Sequence, residues 1–229
     1  MAGLLTVIGG SEAMKTACYL VYAWDYLNKP KDVIAKAFGD SYADLALETS
    51  RLIQLQRQTR QKAQQVRADK ALLAELSGLS ASKAPPSELA ASQTENIRKM
   101  LLAFSRDLRV VMLRLASRLQ TLRYFAASKQ VTPFELAWEA LHVFAPLANR
   151  LGIWQYKWEL EDLAFRFLEP DAYKHIAKLL DEKRIEREAY MLALRDQLQA
   201  ALAEQGIAVQ VQGRPKHIYS IAKKMRGKA

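Results

Sequence analysis

A run of basic residues near the end of the chain has the residue types and spacing that could hold a polyphosphate. The segment 213–228 reads GRPKHIYSIAKKMRGK, and residues 207–229 contain six basic and no acidic residues. Arg214 and Lys216 lie in a predicted turn, and Ser220, Lys223 and Lys224 follow at helical spacing. Backbone N–H groups at a helix start, a hydroxyl and several cations suit phosphate oxygens. A solvated basic tail has the same composition, so both interpretations stand at this point.

Histidine and cysteine are scarce, which limits other site chemistry. The only histidines are His142, His175 and His217, and the only cysteine is Cys18. One cysteine excludes an internal disulfide framework and a cysteine-based zinc site, and no GxxxxGK[ST] segment is present, so the basic run is not a P-loop. We interpret His142, between apolar neighbours, as a core residue and His217 as a helix-start residue that could support a bound nucleotide.

The overall charge balance is strongly basic, with a formal net charge of +10 and an isoelectric point near 9.7. This balance favours anionic partners such as nucleotides, RNA or acidic protein surfaces, with a solvated basic surface as the alternative. No apolar stretch reaches about 18–20 residues, and the N-terminus lacks the basic region of a signal peptide. We therefore expect a cytoplasmic protein without a membrane partner.

Helical periodicity and capping residues predict the elements of the first half of the chain. Ser11 can cap one helix, and Pro30 can open a second that Gly39 closes. An Ala/Ser-rich stretch with Pro85-Pro86 predicts a mobile connection at 69–93. The predicted helices cover 11–28, 30–38 and about 40–66.

The second half continues as helices and then changes pattern. A capping box at Ser92 and Glu95 predicts one helix through 123, whose arginines we place on solvated or interdomain surface, and a second capping box begins at Thr132. Alternation of apolar and polar residues at 207–212 predicts a strand, followed by a turn and a helix. The predicted fold is mainly α, a helical bundle followed by the first strand-turn-helix of an α/β domain. The helices of this half are predicted at 95–123, 132–150, 154–168, 170–205 and 217–226.

Three long stretches carry a resemblance to a known family. The segments ENIRKMLLAFSRDLRVVMLRLASRLQTLR (95–123), FAPLANRLGIWQYKWELEDLAFRFLEPDAY (144–173) and GRPKHIYSIAKKM (213–225) resemble the RelA/SpoT family, and within it the long, RelA-type (p)ppGpp synthetases. The resemblance implies an HD-like degenerate hydrolase domain at 1–150, a helical linker at 151–205 and the truncated start of a synthetase domain at 206–229. We therefore expect the chain to be a fragment of a longer protein.

The resemblance also implies that the hydrolase site is degenerate. The family holds a manganese ion with a His, an adjacent His-Asp pair and a distant Asp, and the metal activates a water that removes the 3′-pyrophosphate. Val21 and Tyr22 fall at the His-Asp pair, Ser117 falls at the distant Asp, and Gln120 replaces the His of the same motif. The implied site has no catalytic residue, no metal and no hydrolytic activity, and we expect its pocket to be filled by Val21 and Tyr22.

For the synthetase half, the resemblance implies nucleotide binding without turnover. The family transfers pyrophosphate from ATP to the 3′-hydroxyl of GTP or GDP, with Mg²⁺ expected for the complete enzyme and ribosome binding through a C-terminal region. Arg214, Lys216, Ser220 and Lys224 match its nucleotide-binding start, while Ala222 departs from the family pattern. We expect no cofactor and no synthesis from this fragment. Two alternatives are a basic helical nucleic-acid-binding module and a hydrolase that works through an unorthodox site.

Overall fold

The computed structural model describes residues 1–76, 107–182, 184–211 and 216–227, and these divide into two compact units. The units are Met1–Ala164 and Phe165–Ala229. Helices account for nearly all regular structure in the described residues, which confirms the mainly α prediction, and none of those residues lies in a strand. None of the described helices combines the length and the apolar composition that a membrane crossing would need.

The first unit begins with two helices and a short 3₁₀ turn. Helix α1 (Ala2–Val7) was not predicted, and it buries Leu4 and Leu5. Helix α2 (Glu12–Ala23) begins where the sequence predicts, because the hydroxyl of Ser11 accepts a hydrogen bond of 3.4 Å from the backbone N–H of Met14. It ends earlier than predicted, at a 3₁₀ turn over Trp24–Tyr26.

Helices α3 (Pro30–Phe38) and α4 (Asp40–Leu76) meet at Gly39, whose φ of 98° favours a residue without a side chain. The predicted end of α4 near residue 66 is wrong, since the helix runs to Leu76. Residues 67–76 are almost all good helix formers, and their high helix propensity compensates for the lack of an apolar stripe. Residues 69–76 of the predicted mobile connection are therefore helical, and residues 77–93 lie outside the described part of the chain.

Helix α5 (Leu108–Ser128) crosses the first unit and begins at a cap that the sequence analysis missed. Asp107 has extended backbone angles and accepts a hydrogen bond of 2.9 Å from the N–H of Arg109. The prediction of one helix over 95–123 is wrong at this point, because a short acidic side chain satisfies the free N–H groups of a new helix start. Leu108, the first residue of this helix, is 54% exposed. The capping box at Ser92 lies outside the described residues.

The segment after α5 is helical but not a single α-helix. Helix α6 (Phe134–Glu139) passes into a π turn (Ala140–Phe144) and then into helix α7 (Ala145–Arg150). Pro146 explains the π turn, because its ring nitrogen cannot bond the carbonyl of His142 four residues earlier. The Thr132 capping box is wrong: Pro133 is the N-cap residue, and Oγ1 of Thr132 is buried without a hydrogen-bond partner in the described structure.

His142 is a second correction in this segment. It was interpreted as a core residue, but it is exposed, with its ring 4.5 Å from the ring of Trp138 between centroids. Its neighbours Leu141 and Val143 take the buried positions instead. Adjacent residues on a helix point in different directions, so apolar neighbours in sequence do not bury the residue between them.

The chain then continues in helices α8 (Trp154–Leu168), α9 (Pro170–Glu182), α10 (Arg184–Glu204) and α11 (Ile218–Arg226). The first of these has its predicted bounds, whereas the helix predicted over 170–205 is described as two helices on either side of residue 183. The strand predicted at 207–212 is also a correction, because residues 207–211 have no regular structure. No described segment lies beside them as a partner strand, and a strand needs a partner to bond its backbone groups.

Each unit has its own apolar core. In the first unit, helices α2, α3 and α4 meet around six buried side chains: Leu20, Val21, Ile34, Ala43, Ala46 and Ile53. In the second unit, Phe165, Ile176 and Ala222 form the buried centre, with Tyr173 and Tyr219 packed around Phe165. The domain bounds predicted at residues 150 and 205 stay predictions.

Candidate functional site

The structure brings together two of the residues that the RelA/SpoT resemblance places at hydrolase ligand positions. Tyr22 lies on α2 and Ser117 on α5, and the phenol oxygen of Tyr22 is 3.0 Å from Oγ of Ser117. Val21, one residue earlier, points into the core of α2, α3 and α4 and is 5% exposed. Gln120 is exposed on the surface of α5. Where the RelA/SpoT resemblance implies metal ligands, the chain thus has one apolar core residue, Val21, and a pair of hydroxyls.

The expectation that Tyr22 fills a closed pocket is wrong. Tyr22 is 50% exposed, so its ring lies at the surface and only its hydroxyl reaches inward to Ser117. Val21 is buried, as expected, and Cys18, Leu115 and Leu119 are buried as well. Burial raises the pKa of the Cys18 thiol. The ring therefore covers the position of Ser117 from outside and does not pack within the core.

A buried arginine lies directly behind the Ser117 hydroxyl. The Nη1 atom of Arg114 donates to Oγ of Ser117 at 3.4 Å, and Nε donates to Oε1 of Gln56 on α4 at 3.1 Å. Nη2 of Arg114 donates to the same Gln56 oxygen. Arg114 is 5% exposed, which corrects its predicted place on solvated surface. Tyr22, Ser117, Arg114 and Gln56 thus form a polar network that joins α2, α5 and α4.

A second buried arginine corrects the sequence analysis in the same way. The side chains of Arg118 and Glu139 are 2% and 4% exposed and form an ion pair of 2.6 Å between α5 and α6. Arg118 also donates to the carbonyl of Leu136 at 3.3 Å, and its guanidinium lies 4.5 Å from the centre of the Phe144 ring. These contacts satisfy a charge that would otherwise be costly to bury.

Helical spacing could have revealed Arg118. Val111, Leu115 and Leu122 lie within about 40° of one another on a helical wheel of 100° per residue, and Arg118 lies about 20° outside that arc. Its position beside the apolar stripe was the signal that it is buried.

The local chemistry does not suit a divalent metal ion. A hard cation needs carboxylates or neutral imidazoles as ligands. Val21 offers no donor atom, Tyr22 and Ser117 offer neutral hydroxyls, and the guanidinium of Arg114 would repel a cation bound at Ser117. In the described residues, no three His, Cys, Asp or Glu side chains are grouped so that they could hold a metal. Asp25, three residues after Tyr22 in sequence, lies 3.8 Å from Nη1 of Arg57.

The structure describes three of the four predicted nucleotide-binding residues. Lys216 and Lys224 are exposed and Ser220 is half-buried, while Arg214 lies outside the described residues. Ser220 and Lys224 are one turn apart on α11, and Ala222 is turned about 200° from Ser220. Ala222 is buried against Phe165 and Ile176 in the core of the second unit. Ala222, which departs from the family pattern, is therefore a packing residue.

The start of α11 also places His217, which precedes the first helical residue as the N-cap and has extended backbone angles. An ion pair between Arg226 and Glu169 joins the end of α11 to the end of α8. The hydrogen bond to Glu169 is the main reason that the pKa of Arg226 is raised. The outward face of the helix therefore has Ser220 and Lys224, while its inner face and its end are fixed by packing.

Comparison with known proteins agrees with the helical bundle of the first unit. The family profile described as "HD domain" matches residues 1–154. The helical bundle and this match define the class of the first unit as an HD domain.

Curated relatives extend the match. A protein of Synechocystis sp. named probable guanosine-3′,5′-bis(diphosphate) 3′-pyrophosphohydrolase is 37% identical over 226 residues, covering 98% of this chain and 26% of the relative. The GTP pyrophosphokinase of Photobacterium angustum is 49% identical over 139 residues, covering 61% of this chain and 19% of the relative. That of Escherichia coli is 46% identical over 140 residues, with the same two coverages of 61% and 19%.

The chain belongs to the RelA/SpoT family. It spans about a quarter of the length of the first of these relatives and about a fifth of the others. Their names divide between a hydrolase and synthetases, so the names alone do not assign a reaction to the first unit. The reaction of the first unit has to be inferred from the side chains at the site.

Proposed function

We propose that this chain is a regulatory, catalytically inactive hydrolase-like domain of a (p)ppGpp synthetase, followed by the start of the synthetase domain. The observation that supports this proposal is the hydrogen-bonded set of Tyr22, Ser117 and Arg114 at the position of a metal-dependent site. Hydrolysis in such a domain needs a metal that activates water. A buried guanidinium beside two neutral hydroxyls opposes cation binding, so the metal-activated water has no place here.

In the proposed parent protein, pyrophosphate is transferred from ATP to the 3′-hydroxyl of GTP or GDP in the cytoplasm, with ribosome association through another region. Catalysis of phosphoryl transfer depends mainly on positioning and on charge stabilisation. Lys216, Ser220 and Lys224 would contribute to nucleotide binding through a cation, a hydroxyl and a second cation on the outward side of α11. Residues 207–229 contain no carboxylate, so this stretch offers no ligand for the Mg²⁺ of a synthetase.

The hydrolytic part of the proposal is tested by incubating the purified chain with ppGpp and 1 mM Mn²⁺ and measuring the release of pyrophosphate, which we expect to be absent. The matched variant is Ser117→Ala, which removes the hydroxyl at the ligand position. Manganese-dependent turnover that Ser117→Ala abolishes would refute the proposal and would favour an unorthodox hydrolase site. Turnover that survives in Ser117→Ala at the same rate would assign the activity to a site that does not use Ser117 and would also refute the proposal.

The nucleotide-binding part is tested separately. Lys224→Gln should weaken the binding of ATP to the chain, measured by calorimetry, because a cation on the phosphates is lost. Lys178→Gln removes the same charge from an exposed site on α9 and should leave ATP binding unchanged. Equal losses in both variants would mean that net charge and not the α11 site attracts the nucleotide. Mixing the chain with ATP and GTP should yield no pppGpp, since binding residues alone do not supply a metal site.

A further inference from the structure

The second half of helix α4 is a basic helix without a packing role in the described structure. The last buried residue of α4 is Gln56, and every later residue of the helix whose burial is described is exposed. We call residues 57–70 the α4 arm. At about 1.5 Å per residue the arm is about 20 Å long. The residues of the arm whose burial is described form no buried face, so their composition reflects what they do in solvent.

The composition of the arm is that of a polyanion-binding surface. Its 14 residues contain five basic residues and one acidic residue, Asp69, so this short segment supplies four of the ten net positive charges of the chain. Gln65 donates a hydrogen bond of 2.9 Å to Oδ1 of Asp69, which engages the one carboxylate of the arm. The basic residues are Arg57, Arg60, Lys62, Arg67 and Lys70.

The other residues of the arm indicate which type of polyanion would suit it. The arm has four glutamines, at positions 58, 61, 64 and 65, and it has no aromatic residue. Binding of single-stranded nucleic acid relies on aromatic side chains on which bases stack, so the composition favours a duplex contacted through its backbone. Double-stranded RNA is recognised largely through phosphates and 2′-hydroxyls, and glutamine amides can bond both groups. About 20 Å of duplex carries roughly 12 phosphates on the spacing known for DNA, more than enough for five cations.

We propose that the α4 arm is a docking surface for double-stranded RNA, bound through its sugar-phosphate backbone without sequence preference. This surface is independent of the hydrolase positions and of the nucleotide-binding residues on α11. Arg57 is the residue of the arm nearest to the bundle, where it lies 3.8 Å from Asp25. The cations beyond it therefore provide the cleanest test.

The test uses the 229-residue chain and a 20-base-pair RNA duplex, with binding followed by fluorescence anisotropy over a series of KCl concentrations. The variant is Arg60→Gln, Lys62→Gln and Arg67→Gln together, and circular dichroism checks that its helix content is kept. The matched control is Lys36→Gln, Lys174→Gln and Lys178→Gln, which removes the same charge from exposed positions on α3 and α9. The arm variant should bind at least about tenfold more weakly near 0.1 M salt and should lower the log–log salt slope by about 2 to 3.

The control variant should keep its affinity within about twofold, because it leaves all five cations of the arm in place. Equal losses in the two variants would overturn the proposal, and so would an unchanged affinity of the folded arm variant. Equal affinity for a DNA duplex of the same length would overturn the choice of RNA, and tighter binding of single-stranded RNA would overturn the backbone mode. Displacement of the duplex by polyglutamate as readily as by RNA would indicate that the partner is an acidic protein, and it would also overturn the proposal.

Discussion

The phenol oxygen of Tyr22 lies 3.0 Å from the hydroxyl oxygen of Ser117, although the two residues are 95 positions apart in sequence. This contact joins α2 to α5 at the two positions where the RelA/SpoT resemblance implies metal ligands. A hydrogen bond between neutral hydroxyls holds the helices together here, and its contribution can be measured.

Removing the phenol hydroxyl in Tyr22→Phe should lower the free energy of unfolding by about 1 kcal/mol, the typical net value of one hydrogen bond. Tyr22→Ala should lower it by about 2 kcal/mol, less than the ~3–5 kcal/mol of a fully buried ring, because Tyr22 is 50% exposed. Urea denaturation measures both values. Tyr26→Phe is the control, since Tyr26 is 89% exposed. A loss of 3 kcal/mol or more in Tyr22→Ala would mean that the ring is buried.

The ion pair between Arg118 and Glu139 should matter far more than a surface pair on the same helix. Arg118→Met leaves a buried carboxylate without its cation and should cost about 3–5 kcal/mol. Arg123→Met breaks an exposed pair with Glu159 and should cost about 0–1 kcal/mol. Combining Arg118→Met with Glu139→Leu should restore part of the loss, because no unpaired charge is then buried. Chemical denaturation of the four proteins would contradict this if Arg118→Met and Arg123→Met proved equally mild.

His142 should make stability depend on pH in the mildly acidic range. Although His142 is exposed at the surface, its ring lies 4.5 Å from that of Trp138, and partial desolvation lowers its pKa below the ordinary value of 6.5. The unfolded chain then binds a proton more readily than the folded chain, so stability is complete above about pH 6.5 and decreases as the pH falls. His142→Gln should flatten this dependence between pH 7 and 5.5. NMR titration of the ring should show the lowered pKa, and Trp138→Ala should move it back upward; no change in Trp138→Ala would exclude this ring as the cause of desolvation.

The cap at Asp107 should stabilise the start of α5 through both its geometry and its charge. Asp107→Ala should cost about 0.5–2 kcal/mol, and Asp107→Asn should cost less because the amide oxygen still accepts from the N–H of Arg109. The side-chain hydrogen bond from Arg109 lowers the pKa of Asp107 below its ordinary 3.8. The part of the stabilisation that depends on the charge of Asp107 is therefore present at neutral pH, and it is lost as the pH falls below the ordinary pKa of 3.8. Thermal melts that rank Asn below Ala would contradict the cap.

Local signals in the sequence were sufficient for several helix ends. Ser11 caps α2, Pro30 opens α3 and Gly39 closes it, because each of these effects depends on one residue and its immediate backbone. The mainly α class followed from the same signals. The prediction of a strand at 207–212 was wrong. Alternation of apolar and polar residues is typical of a half-buried strand, but strand formation depends on a neighbouring strand that local sequence does not specify.

The contacts of the candidate site could not be predicted from local sequence patterns. Arg114 meets Gln56, which is 58 residues away, and Arg118 meets Glu139, which is 21 residues away. Helical periodicity shows which face a residue occupies, but it does not show which polar partner a distant helix will supply. The resemblance brought Tyr22 and Ser117 to attention, yet the half-exposed ring of Tyr22 depends on how α2 and α5 approach each other.

The π turn at Ala140–Phe144 changes how this chain can be compared with others. Such a turn inserts one residue into a helix, and one residue corresponds to about 100° of rotation. The faces of α7 are therefore out of phase with those of α6 on any single helical wheel. A homologue that lacks a proline at position 146 and forms an unbroken α-helix would match this chain face to face only across a one-residue gap. A gap-free alignment through this segment would equate buried positions with exposed ones.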